Sequence, residues 1–173
     1  MTFVFRTAVS FVFCLLLPLT TAFAADDVPA APTGSVILTV SGKIGAKNAE
    51  GTVQFDIDML RALPAETVST STIWTEGVHV FTGVPLALLL DELGSSSSTL
   101  RALAINDYAI ELPVSELQDK APILAYEMNG EPMHRRDKGP LWIIYPYDSS
   151  AEYQTSLVYS RSVWQLDRLE LVD

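Results

Sequence analysis

The stretch from Arg135 to Asp148 constrains this chain most. It reads Arg135-Arg136-Asp137-Lys138-Gly139-Pro140-Leu141-Trp142-Ile143-Ile144-Tyr145-Pro146-Tyr147-Asp148. Leu141 to Tyr145 is an apolar, β-branched and aromatic run of strand length. Gly139-Pro140 and Pro146 punctuate its two ends. Four ionisable side chains just before such a core strand must lie at its mouth, because burying them unpaired costs too much. Cationic groups at one end of a rigid strand, with aromatics along it, suit a flat ligand with a polar edge. A solvated basic turn before an ordinary strand is the plainer reading of the same residues.

The N-terminus has the three-part form of an export signal. Met1 to Arg6 is short and carries one positive charge, Ala8 to Leu19 is apolar, and Thr21-Ala22-Phe23-Ala24 supplies small residues at a cleavage site. We expect residues 1–24 to be a signal peptide cleaved after about Ala24, with an uncleaved anchor as the alternative; cleavage leaves an exported protein, expected in the periplasm, with no membrane insertion afterwards. Residues 25–34, small, acidic and proline-bearing, read as a flexible leader. Residues 35–173 form the one expected domain, since about 150 residues suffice for a single core. Cys14 is the only cysteine and leaves with the signal. The processed chain therefore has no disulfide, no Cys-ligated metal and no thiolate nucleophile. Net charge is −10, and loss of the single charge of Arg6 leaves −11. So acidic a surface repels nucleic acid and anionic lipid.

Short elements fill the body. Ser35 to Ser41 and Thr52 to Ile57 alternate as strands. Asp58 is placed to cap a short helix, Met59 to Leu63, that stops before Pro64. Glu66 to Thr75 is extended in character. From Pro85 the period becomes helical, with Leu86, Leu89, Leu90 and Leu93 on one face and Gly94 as the stop. Leu100 to Ile105 and Ala109 to Leu112 are strands joined by a tight turn at Asn106-Asp107-Tyr108. Ala121 to Met128 is a strand followed by the turn signal Asn129-Gly130. Thr155 to Leu166 reads as a helical turn and then a strand, and Leu169 to Val172 closes the chain. Many short strands with a few short helices make an α+β fold, not a doubly wound sheet.

No phosphate-cradling glycine loop, dinucleotide fingerprint or nucleophile elbow is present, and neither His79 nor His134 has metal-ligand spacing. What stands out is a set suited to binding. Aromatics (Trp74, Tyr108, Trp142, Tyr147, Tyr153, Trp164) fall at turns and strand ends, with charges (Asp107, Arg135, Arg136, Asp137, Lys138, Asp148, Arg161) beside them. A heteroaromatic ligand needs a stacking face and a few fixed donors and acceptors at its edge. Trp142, mid-strand, reads as core.

Three segments carry a family resemblance. Phe81-Thr82-Gly83-Val84-Pro85-Leu86 with its leucine helix, Leu124-Ala125-Tyr126-Glu127-Met128-Asn129-Gly130-Glu131-Pro132-Met133, and Gly139-Pro140-Leu141-Trp142-Ile143-Ile144-Tyr145-Pro146 resemble, in order and spacing, the sulfite-oxidase-like, molybdopterin-binding domain family. The resemblance implies that fold over residues 35–173. In the enzymes of that family a cysteine ligates molybdenum, at a place that corresponds here to about Thr70-Ser71-Thr72-Ile73-Trp74. This chain has hydroxyls there, and a hydroxyl is a harder, far less acidic ligand than a thiol. The loop that faces the cofactor phosphate corresponds to Tyr147-Asp148-Ser149-Ser150-Ala151-Glu152, acidic and without lysine.

Thr72-Ile73-Trp74, Asn106-Asp107-Tyr108, Arg136 to Trp142 and Arg161 to Leu166 resemble a non-enzymatic branch of that family, small periplasmic pterin-binding proteins. That resemblance implies a reduced, metal-free pterin as ligand. It also implies a partner, the periplasmic sensor domain of an inner-membrane signalling protein, either a cyclic-di-GMP enzyme or a histidine kinase. The implied pterin contacts are Trp74, Asn106, Asp107, Tyr108, Arg135, Arg136, Lys138, Asp148, Arg161 and Trp164, with no catalytic or metal-binding residue. The alternative is a periplasmic molybdopterin-dependent oxidoreductase.

Overall fold

The computed structural model describes residues 29–118 and 120–173. The expected signal segment lies outside the described residues. Strand alternation at the two ends of the described chain sets the frame. In β1 (Leu38–Gly42) Leu38 and Val40 are fully buried, with Thr39 and Ser41 turned away. In β10 (Leu166–Val172) Leu166, Leu169 and Leu171 are buried. These two strands lie side by side and parallel, Thr39 opposite Arg168 and Leu171 opposite Gly42. A parallel pair needs a long crossover, and nearly the whole domain is that crossover.

The first sheet runs β2-β1-β10-β5-β6, with β2 (Val53–Phe55), β5 (Thr99–Ala104) and β6 (Ala109–Pro113) antiparallel to their neighbours. The second runs β3-β4-β7-β8: β3 (Glu66–Thr72), β4 (Thr75–Pro85), β7 (Ile123–Met128) and β8 (Glu131–Pro132), with β9 (Trp142–Ile144) also paired to β7. Helices α1 (Ile57–Ala62), α2 (Leu86–Glu92) and α3 (Ser156–Arg161) are short. This is the mixed, short-element α+β architecture that the pattern predicts. No helix among the described residues is long and apolar enough to cross a membrane.

Two local expectations are corrected. Asp56, not Asp58, caps α1. Its carboxylate accepts from the Met59 backbone N–H at 2.9 Å and from the N–H groups of Thr33 and Gly34 at 2.8 Å each. The Met59 N–H, then those of Gly34 and Thr33, hold this carboxyl below the usual carboxylate range against the opposing effect of burial. The same contacts tie down the end of the leader, and Asn48 Nδ2 donates to the Ala30 carbonyl at 2.9 Å. The leader expected to be free as far as residue 34 is thus fastened to the body over its last residues.

The three motif segments meet in the core. Leu86, Leu89 and Leu90 turn the apolar face of α2 inward. Gly83 has no room for a Cβ, which would fall 2.2 Å from the Leu124 carbonyl oxygen. Close pairing of β4 on β7 therefore requires glycine there. At Gly139 a Cβ would fall 1.9 Å from the Met133 carbonyl oxygen, so the chain entering β9 can pass only as glycine. Phe81 and Trp142 are both fully buried, their rings perpendicular with centroids 5.5 Å apart. Deleting so large a buried ring leaves a cavity as well as losing its transfer energy. Phe81→Ala is expected to lower the unfolding free energy by about 3–5 kcal/mol in urea titrations; a loss well below that would show that the core closes over the gap.

Candidate functional site

A cavity of about 360 Å³ opens where the β3–β4 turn, the β5–β6 turn, α3 and the segment leading to β10 converge. Trp74, Asn106, Tyr108, Tyr159, Ser160, Ser162 and Trp164 line it, with Ala104 and Val163. Trp74 sits at the tip of the β3–β4 hairpin, where a bulge falls between Ser71 and Thr72. Its backbone N–H donates to Thr72 Oγ1 at 3.1 Å, and Thr72 Oγ1 pairs with Thr75 Oγ1 at 2.8 Å. Four rings meet the Trp74 indole edge-on, Trp164 at 5.5 Å, Trp142 and Tyr159 at 5.8 Å and Tyr147 at 6.3 Å between centroids. Such edge-to-face contacts stabilise beyond burial alone and fix the ring plane.

Trp164 forms the outer wall and is 38% exposed. The Lys138 ammonium stands 4.8 Å from its ring centroid and 5.6 Å from that of Trp142, a cation–π placement that puts a positive charge beside the cavity. The β5–β6 turn supplies the third side. Asp107 adopts a left-handed conformation, φ 63°. Asn106 Oδ1 accepts from the Tyr108 N–H at 3.2 Å, and the Tyr108 hydroxyl reaches across to donate to the Ser160 carbonyl at 2.9 Å.

Of the ten residues inferred from sequence, the structure brings Trp74, Asn106, Tyr108 and Trp164 together on this cavity and sets Lys138 against Trp164. The other five lie elsewhere. Asp107 turns away into an ion pair with Arg168 at 2.8 Å. Arg135 and Arg136 are exposed on a 3-10 turn, Arg136 paired with Asp137 at 3.3 Å. Arg161 is buried on another face of α3, its Nη1 on Glu116 at 2.5 Å. Asp148 is a clamp: it accepts from Ser71 N–H at 2.6 Å and Ser71 Oγ at 2.7 Å, while its own N–H donates to the fully buried Thr70 Oγ1 at 3.1 Å. The Ser71 hydroxyl, then its N–H, holds the Asp148 carboxyl below the usual range.

Sequence reading missed Tyr159, Ser160, Ser162 and Val163. The Thr155 hydroxyl accepts from the Val158 N–H and so caps α3. That Ser/Thr cap was the available signal. Tyr147 and Ser162 lock the floor: the Tyr147 hydroxyl donates to Ser162 Oγ at 2.6 Å, and burial pushes that phenol up to about 12 although the bond to Ser162 opposes the shift.

The profile of the oxidoreductase molybdopterin binding domain matches residues 38–154. The chain belongs to that family. Among solved structures, the sulfane dehydrogenase SoxCD from Paracoccus pantotrophus is similar in fold, with a TM-score of 0.56 and 19% identity. The match covers 79% of this chain and 38% of that one, so the present sequence spans well under half of its structural relative. Comparison with curated proteins returned no match.

The family binds molybdopterin, and the residues here can be tested against that cofactor. At the place of the metal-binding cysteine, the Ser71 hydroxyl is bonded to Asp148 and the Thr72 hydroxyl to Thr75. Thr70 Oγ1 accepts from Asp148 N–H and donates to the Ser71 carbonyl at 3.2 Å. All three are hard oxygen donors already in use, beside a carboxylate held ionised. Among the described residues no three His, Cys, Asp or Glu side chains group to hold a metal ion. A phosphate-bearing, thiolate-anchored molybdenum cofactor does not fit this donor set.

Asp148 gives the site a pH signature. Its folded pKa lies below the unfolded one, so its stabilisation is complete above about pH 4 and is lost as pH falls through the lower folded value. Asp148→Asn is expected to flatten that acid limb in urea midpoints followed by tryptophan fluorescence. Identical limbs in both proteins would refute the clamp.

Proposed function

We propose that this chain is a periplasmic sensory protein. It binds a reduced, metal-free pterin in the Trp74–Trp164 cavity and signals to the periplasmic sensor domain of an inner-membrane partner, a cyclic-di-GMP enzyme or a histidine kinase. In this reading it is not itself a catalyst. The observation that carries the reading is the pairing of two indoles at the cavity, centroids 5.5 Å apart and planes inclined at 68°, with oxygen donors already committed where a metal-bound thiolate would stand. A pterin offers one flat face to an indole and a 2-amino-4-oxo edge to polar groups. The Asn106 amide is such a group, able to donate, and the Ser160 hydroxyl, whose proton goes to the Leu157 carbonyl, can accept. Lys138 favours electron-rich atoms on the ligand. A pterin without phosphate meets no long-range penalty from a protein at −10.

Purified processed protein is expected to quench and shift pterin fluorescence on binding. Trp74→Ala should weaken binding about tenfold to a hundredfold, the usual worth of one ring-stacking contact. No pterin binding, or an unchanged affinity in Trp74→Ala, would refute the proposal. Family membership favours a second reading, a periplasmic molybdopterin-dependent oxidoreductase. It requires stoichiometric molybdenum in protein isolated from molybdenum-replete cells, and elemental analysis is expected to find none.

A further inference from the structure

A second cavity, of about 330 Å³, opens beside another face of α3, lined by Val158 and Arg161 of that helix and by the segment around Glu116. Arg161 dominates it. Its side chain is 10% exposed, its one protein partner among the described residues is Glu116, and Nε is buried without a partner. Glu116 is itself 55% exposed. A nearly buried guanidinium, with five N–H donors, thus leans on one half-solvated carboxylate. An unused donor on a buried cation is costly, and the side chain that carries it lines the cavity.

The surroundings narrow the ligand. Glu152 adds a second carboxylate to the lining. A simple anion would reach Arg161 only past two negative side chains and the field of a −10 protein. A simple cation would meet Arg161. Apart from Ser115 and Gln118 the remaining wall is apolar and aromatic: Leu112 and Tyr145 are buried, and the Tyr145 phenol is pushed up by burial while the Arg161 charge draws it back. One donor fork, two carboxylates and an apolar wall match a molecule that carries both charges on one end and a hydrocarbon on the other.

We infer that this cavity binds a small zwitterion, an α-amino acid with an apolar side chain, its carboxylate on the Arg161 guanidinium and its ammonium against Glu116 and Glu152. The side chain lies along Leu112, Tyr145 and Val158. A zwitterion carries no net charge, so the acidic protein does not repel it. The site stands apart from the pterin reading, because it borders another face of α3 and its test uses no pterin.

The test is calorimetric titration of the processed full-length protein with L-leucine, L-methionine and L-phenylalanine, and with 3-phenylpropanoate, which keeps the ring and carboxylate but lacks the ammonium. At least one amino acid is expected to bind, and L-phenylalanine is expected to bind at least about tenfold more tightly than 3-phenylpropanoate. Arg161→Gln should weaken amino-acid binding about thirtyfold or more. Because that change breaks a buried pair and can impair folding, Glu152→Gln, which leaves the pair intact, and Glu116→Gln, which keeps the guanidinium, supply a second reading. Each is expected to weaken amino-acid binding relative to 3-phenylpropanoate and so narrow the gap between the two. No heat with any of the three amino acids up to tens of millimolar overturns the proposal. Equal affinity for L-phenylalanine and 3-phenylpropanoate overturns it too, as does an unchanged preference in both glutamate variants.

Discussion

The indole of Trp142 joins the two sheets, and the candidate site depends on that join. Trp142 is fully buried in β9, which hangs on β7 of the second sheet. Its Nε1 donates to the Ser162 carbonyl at 3.1 Å, and the backbone bonds Ile143 N to Val163 O and Leu166 N to Leu141 O continue the contact into the entry of β10, in the first sheet. A tryptophan whose ring fills a core while its single N–H finds a carbonyl stabilises without leaving a buried polar group unmade. Trp164 follows two residues after Ser162. Its place on the cavity wall is therefore set by a hydrogen bond made deep in the core.

The opposite wall is set differently. Trp74 sits on a hairpin turn, which would ordinarily be among the more mobile parts of a sheet. Here the hairpin is fastened behind the turn by Asp148, through Ser71 and Thr70, and ahead of it by four rings around Trp74. Hydroxyls and a carboxylate do this where the metalloenzymes of the family are expected to hold a thiolate. The exchange has one consequence for chemistry and one for binding. Hydroxyl oxygens hydrogen-bonded in a clamp are harder and far less acidic ligands than a thiolate, and a clamped turn presents its indole in one orientation to any flat ligand. Little rotamer freedom is then left to lose on binding.

Legibility from sequence divides along the same line between local and long-range causes. Alternation in Ser35–Ser41, the leucine period after Pro85 and the Asn129-Gly130 turn are local signals, and the corresponding elements form. The cap of α1 was not legible. Asp56 and Asp58 are equivalent by type, and the choice falls to Asp56 because Thr33 and Gly34 bring two more N–H groups to it from another part of the chain. The strand β10 hides its phase behind a bulge between Leu166 and Arg168. At the site, the aromatics at turns were visible as a set, but which of them share a cavity was not. Tyr159 and Arg161 are two apart on a helix and so point about 200° from one another, one to each cavity, and no spacing rule read without the helix boundaries separates them. Asp148 has the residue type of a ligand and the position of a clamp, a distinction made by a serine 77 residues away in sequence.

That places α3 under a specific demand, because six residues form a wall of both cavities. Tyr159 and Ser160 border the first, Arg161 the second. A helix so short has little cohesion of its own, and its position must come from its ends. At the start, Thr155 Oγ1 accepts from the Val158 N–H at 3.3 Å. At the finish, Ser162 Oγ donates to the Val158 carbonyl at 2.9 Å and accepts from the Tyr147 hydroxyl. The Tyr147 phenol, pushed up to about 12, keeps its proton across the whole physiological range, so this fastening does not loosen with pH. A partition held at both ends transmits little displacement from one side to the other. Coupling between two sites requires an element with two arrangements that each ligand prefers differently, and the ties at both ends of α3 resist a second one. The physical consequence is two cavities that share one fastened wall.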